Sequence, residues 1–197
     1  MKTKTFILLI GSTLLTLMSF SQITKGNWMT GGNFSFKSTK SSDGQGYYFK
    51  TNTLAISPNI GYFFIDKLAV GIRPSFSTQK IKYNPTGVIN NYTSKRNEYG
   101  IGPYVRYYIL QPTNRINFFA ETSFLHSIVK DMYTIQNSET TSANTYSFAA
   151  GPVIYFNSSV GLELMVGYTN KQYVNSIFSD KTFFANIGFQ IHLEKEQ

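Results

Sequence analysis

Alternation of apolar and polar side chains at a period of two, organised into hairpins, constrains this sequence more than any other feature. Stretches beginning near Asn52, Asn97 and Asn144 each read as an alternating strand, a tight polar turn and a second alternating strand. Each first strand carries a proline with an aromatic four residues later: Pro58 and Tyr62, Pro103 and Tyr107, Pro152 and Phe156. Successive strand side chains point to opposite faces, so every segment presents one apolar and one polar face. A hairpin repeated at a spacing of about 45 residues is the pattern of an up-and-down barrel.

The N-terminus sets the expected compartment. Lys2 and Lys4 precede an apolar run over residues 6–17, and Ser19-Phe20-Ser21 offers small side chains where a signal peptidase reads. The run is shorter than the ~20 residues a spanning helix needs. Residues 1–21 are therefore expected to be a cleaved signal peptide, with the cut before Gln22 and one barrel domain over 22–197. The chain has no cysteine, which removes a lipidated N-terminus and disulfide bonds. A closed, hydrogen-bonded sheet in a bilayer is another source of stability for an exported chain.

Phe and Tyr are abundant and charge is sparse, yet no apolar segment beyond the leader is long enough for a membrane helix. Strand alternation hides a barrel from hydropathy averages. The net charge is +8, and removing Lys2 and Lys4 leaves +6, so the basic excess belongs to the expected mature chain.

Eight strands follow from the periodicity. The apolar faces, expected to point outward to lipid, hold Trp28, Phe34 and Phe36 in the first strand and Leu54, Ile56, Pro58, Ile60 and Tyr62 in the second. The third and fourth present Leu68 to Phe76 and Tyr99 to Ile109 at alternate positions, and the fifth presents Phe118, Ala120, Thr122 and Phe124. The last three present Tyr146 to Phe156, Val160 to Tyr168 and Phe183 to Leu193 in the same way. Connections near Asp66, Asn114 and Ser158 are short, whereas residues 38–47, 80–96, 130–144 and 171–181 are read as long polar loops. Barrels of the outer membrane have short periplasmic turns and longer external loops, which places both termini in the periplasm. Proline lacks the ladder N–H, so Pro58, Pro103 and Pro152 are expected to mark bulges or interrupted ladder bonds.

The leader, the strands Gly102-Pro103-Tyr104-Val105-Arg106-Tyr107 and residues 160–168, and the closing Phe189-Gln190-Ile191-His192-Leu193 carry a family resemblance. The chain resembles the outer-membrane protein beta-barrel domain family, small eight-stranded barrels related in architecture to OmpX, OmpW and the OmpA membrane domain. The resemblance implies an all-β, eight-stranded antiparallel up-and-down transmembrane β-barrel in the outer membrane. It also brings in a role as an assembly factor of a secretion apparatus as one alternative. Such strands often end on a C-terminal aromatic, whereas here Leu193 is followed by Glu194-Lys195-Glu196-Gln197.

Two groups of residues are candidate sites. Arg73, Arg106, Glu121 and Glu163 fall on inward faces within about five residues of the short turns and so share a depth in the lumen. Enclosed charges demand pairing, which makes this set a structural network in a packed, non-conducting interior. Lys80, Lys82, Lys95 and Arg96 lie at the long-connection end, where cations can dock lipid phosphates, lipopolysaccharide among them. Residues 80–96, with Tyr83 and Tyr92, form the largest expected contact surface for an external protein partner.

Other chemistry is excluded on geometry. His126 and Ser127 are adjacent and point to opposite strand faces, so they make no dyad, and nothing orients Glu139. His192 stands without an Asp or Cys that would share a metal. No catalysis, cofactor or metal is expected. Export argues against nucleic-acid binding, and Trp28, Tyr62, Tyr107, Phe156 and Tyr168 fit an interfacial girdle. Passage of a small solute or hydrophobic molecule through a lateral opening is one alternative. A soluble lipocalin-like binder is the structural rival, and it requires the opposite parity, with apolar faces inward.

Overall fold

A computed structural model describes residues 23–42, 48–84, 92–133, 138–177 and 179–193. The expected signal peptide with its cleavage point, residues 85–91 and the tail 194–197 lie outside the described residues. Eight strands follow one another: β1 (Trp28–Ser42), β2 (Tyr48–Ile65), β3 (Leu68–Asn84), β4 (Tyr92–Tyr108), β5 (Ile116–Tyr133), β6 (Glu139–Tyr155), β7 (Val160–Tyr173) and β8 (Ser179–Leu193). Each pairs antiparallel with its sequence neighbours, and β1 meets β8 to close the barrel.

The parity read from the sequence is the parity of the wall. On β4, Ile101, Pro103, Val105 and Tyr107 are exposed while Gly102, Tyr104, Arg106 and Tyr108 are buried. β5 repeats the pattern, with Phe118 and Ala120 outside and Phe119 and Glu121 inside. Apolar side chains therefore cover the exterior, the reverse of a lipocalin-like barrel. Aromatic pairs cluster at two levels of the outer face. Trp28 and Tyr62 pack at 5.1 Å near the short turns, and Phe124–Tyr146 and Tyr168–Phe183 pack at 5.2 and 5.1 Å near the opposite end.

The strands are longer than the sequence predicts. Ladders run on into all four segments read as loops, pairing Lys40 with Lys50 and Tyr83 with Tyr92. Those extensions put polar residues such as Lys40, Lys50, Lys80 and Lys82 at the outward positions, which ends the apolar-outside pattern while leaving the backbone bonds intact. At ~3.3 Å per residue and a tilt near 40°, the 18 residues of β2 rise about 45 Å. An apolar belt is only about 25 Å tall, so the upper wall stands clear of it.

The prolines interrupt the ladder without shifting it. Pairing between β2 and β3 lapses from Ile56–Phe76 to Ile60–Ile72 across Pro58, and resumes in the same register. The same happens across Pro103 between β4 and β5, and across Pro152 between β6 and β7. The glycine preceding two of these prolines has a cause: at Gly102 and Gly151 a Cβ would collide with the carbonyl of Phe124 or Leu164 on the next strand.

The short-turn end is tied down. Lys67, at φ 70°, closes the β2–β3 hairpin, and Asn157 Oδ1 accepts the N–H groups of Ser159 and Val160 at 2.9 and 2.7 Å. The segment before β1 crosses the lower mouth, where Lys67 N donates to Ile23 O at 2.8 Å and Gly26 N to Phe63 O at 2.9 Å. That crossing buries the Ile23 side chain completely in the lumen.

Candidate functional site

From the short-turn end upward, the lumen begins with an apolar floor. Ile23, Met29, Phe63, Tyr108, Phe119 and Tyr155 pack together there. His192 sits among them, its ring centre 5.7 Å from that of Phe63 and 5.5 Å from that of Tyr155, and its ring nitrogens bond nothing among the described residues. No group of three metal-ligating side chains occurs among those residues.

Above the floor the structure brings Arg73, Arg106, Glu121 and Glu163 into one network. The β4–β5 register sets Arg106 directly across from Glu121, and its Nε reaches Glu121 Oε2 at 2.9 Å. Arg73 arrives from β3 as a fork on the same carboxylate, at 2.6 and 2.9 Å. Arg106 also donates to Glu163 Oε1 and, at 3.3 Å, to the Tyr108 hydroxyl. Gln190 Nε2 donates to Glu163 Oε2 at 3.4 Å. The Arg106 guanidinium lies 4.3 Å from the Phe119 ring centre, which seats the charge layer on the floor. Two cations answer two anions, so the layer is neutral.

A cavity of about 240 Å³ lies above the Arg73–Glu121 pair, lined by hydroxyl and amide side chains such as Ser57, Ser75, Ser147 and Asn33 together with apolar ones such as Leu125, Met165 and Phe184. Higher still, Lys171 Nζ contacts Glu98 at 2.6 Å. Arg96 forks onto Asp131 at 2.7 and 3.0 Å. The hydrogen bond to Asp131 raises the Arg96 pKa further above its already high value, against the opposing effect of burial.

The expected phosphate set is divided by this geometry. Even-numbered residues of β4 face inward, so Arg96 points into the lumen and is held by Asp131, away from the three lysines. Lys80, Lys82 and Lys95 point outward and are exposed, and Lys80 pairs across the ladder with Lys95. Lys50 stands beside both Lys82 and Lys40 in the next outward row. Lys130 and Lys181 lie on outward positions of β5 and β8. The acids at this level do the opposite: Glu98, Asp131, Glu139 and Asp180 occupy inward positions. Among the described residues, strand parity thus turns the carboxylates of the upper wall inward and most of its lysines outward; Lys37 and Lys171 take inward positions, the latter on Glu98. Carrying the alternation past the apolar belt would have revealed this in the sequence.

His126 and Ser127 do part across the wall. His126 is outside, its Nδ1 2.7 Å from Asn144 Oδ1, and Ser127 is buried.

No family model matches the sequence, and no curated protein matches it. Among solved structures, the outer membrane protein OprG from Pseudomonas aeruginosa is similar over 91% of this chain and 100% of its own, with a TM-score of 0.52 at 12% identity. Ail of Yersinia pestis is similar over 86% of this chain and 100% of its own, with a TM-score of 0.48 at 15% identity. The fold is that of the small eight-stranded outer-membrane barrels.

Proposed function

We propose that the protein is an integral outer-membrane β-barrel without a catalytic task, and that its outward lysines hold the phosphates of anionic lipid, lipopolysaccharide above all, in the outer leaflet. The observation that carries this is the sorting of charge by parity. Lys50, Lys80, Lys82, Lys95 and Lys130 share the outer face just above the apolar belt, and the described carboxylates at that level are turned inward. Cations placed there meet headgroup phosphates, at about 1 kcal/mol for each lysine near an anionic surface.

The test replaces Lys80, Lys82 and Lys95 with Gln in barrel refolded into vesicles with and without lipopolysaccharide. Losing about 3 kcal/mol corresponds to an affinity reduction on the order of 100-fold, and Arg96→Gln should leave binding unchanged. Undiminished association of the triple variant would refute the reading.

A further inference from the structure

The wall is incomplete along one line. β1 and β8 pair from Trp28–Leu193 to Asn33–Gly188 and no further, although β1 continues to Ser42 and β8 reaches back to Ser179. The split starts beside Gly32, whose φ of 153° is closed to ordinary side chains and where a Cβ would meet the Ser57 and Pro58 backbone at 2.7 Å. Above it, Phe34 and Phe36 on one lip are 62% and 64% exposed, and Phe183 and Ile187 on the other 85% and 59%. The 240 Å³ chamber is lined from both lips, by Asn33 and Ser35 and by Phe184 and Asn186. Inward-facing Ser35 is itself exposed. Both edges of the unpaired stretch therefore border the chamber.

We propose that this cleft admits a single-chain amphiphile, its small uncharged hydroxyl-bearing head in the chamber and its acyl chain between Phe34 and Phe36 on β1 and Phe183 and Ile187 on β8. The chamber has room for about eight waters at ~30 Å³ each, hence for a glycerol-sized head. Its floor is already neutral, with two arginines on two glutamates, so a charged head would be enclosed without a counter-ion. What the chamber offers is hydrogen bonding: several hydroxyls, the Asn33 Oδ1 acceptor and the Arg73 Nε donor, both buried and unfilled among the described residues. Continuing the β1–β8 register would set Lys40 across from Lys181 on one face, a like-charge opposition that works against closure. A lone inserted strand fits poorly, since between antiparallel lips it runs parallel to one of them.

The inference rests on the membrane placement proposed above. The probe is a monoacylglycerol with a photoreactive chain, added to barrel refolded in phosphatidylcholine vesicles, with a fatty acid and a phosphatidic acid carrying the same label as comparators. Label is expected on the four lip residues, at least tenfold above the rest of the belt and above either anionic comparator. The chain has no cysteine of its own, so Ser35→Cys with Asn186→Cys can staple the lips; oxidation should abolish the labelling and reduction restore it. Ser147→Phe, which fills the chamber, should abolish it without a crosslink, and it decides alone where the staple does not oxidise. Heat-modifiable gel migration certifies each variant as folded. A chain that never gives that form in lipid sinks the membrane placement. A folded barrel labelled evenly around its belt, labelled equally by the anions, or still labelled with the chamber filled overturns this inference.

Discussion

Arg106→Met isolates what the lumen network contributes. The Arg106 side chain is fully buried and shared between Glu121 and Glu163, themselves 2% and 0% exposed. Without it Glu121 keeps the two-pronged contact from Arg73, at 2.6 and 2.9 Å. Glu163 keeps only the Gln190 amide at 3.4 Å. The loss therefore falls on one stranded carboxylate, and breaking a buried pair from one side costs about 3–5 kcal/mol. Glu163→Gln alone leaves two arginines on Glu121, a smaller imbalance. The double variant strands no charge, because Arg73 and Glu121 remain paired, and apolar or neutral replacement of a whole buried pair is near neutral. Arg106→Met/Glu163→Gln should accordingly be more stable than Arg106→Met, with a coupling of about 2–3 kcal/mol. Urea unfolding in lipid vesicles reads this through Trp28, the single tryptophan, which lies on the outer face at the short-turn end. With a slope near 2 kcal/mol per molar urea, the Arg106→Met midpoint should fall by about 1.5–2.5 M and largely recover in the double variant. Additive losses, with the double variant as weak as the two singles combined, would refute a shared buried network.

Two further outcomes follow from the wall and the floor. Gly102→Ala drives a Cβ into the Phe124 carbonyl and should cost about 1–3 kcal/mol as a lowered urea midpoint; Gly100→Ala, which meets only the movable Leu125 and Ser127 side chains at 3.0–3.1 Å, should cost clearly less. An equal loss at both would mean that strand approach at Pro103 is not what the glycine serves. The packed floor around Phe63, Tyr108 and Tyr155 predicts no stable single-channel current in planar bilayers, and steady conductance steps would show that the floor opens.

The sequence shows the wall wherever one face is apolar, and the inward charges too. Arg73, Arg106, Glu121 and Glu163 are legible because each is a charge at an inward position of a strand whose outward positions are mostly apolar, and their depth follows from counting outward from the short turns. Above the belt the signal fails for a physical reason. Ser, Thr and Lys occupy both faces of residues 38–42, and over 80–84 the outward positions are Lys80, Lys82 and Asn84 against inward Ile81, so the apolar-outside pattern that marks the belt is lost while the ladder continues. Arg96 illustrates the cost: as a loop residue it joins the neighbouring lysines, and as a strand residue it faces Asp131. Gly31-Gly32 is visible as a weak spot in β1, but the chain cannot reveal from itself that the ladder to β8 fails to resume beyond it.

The contrast between the proline gaps and that failure explains why the split is where it is. Pro58, Pro103 and Pro152 each remove a ladder donor, yet pairing returns within a few residues in unchanged register. Both flanks of each gap belong to strands joined by a short turn at one end or locked by paired extensions at the other, so neighbours reimpose the spacing. β1 and β8 are the first and last strands and no connection joins them. Their seam is held only by the six pairs from Trp28–Leu193 to Asn33–Gly188. A donor lost inside the sheet is a local defect, whereas the lapse that starts beside Gly32 at the β1–β8 seam runs to the rim. An ordinary strand residue at position 32 would conflict with the Ser57–Pro58 backbone, so Gly32 serves the close approach of β1 to Pro58. The β1–β2 ladder runs unbroken past that contact to Ser42, so the split belongs to the β1–β8 seam and a crosslink across the seam is enough to close it.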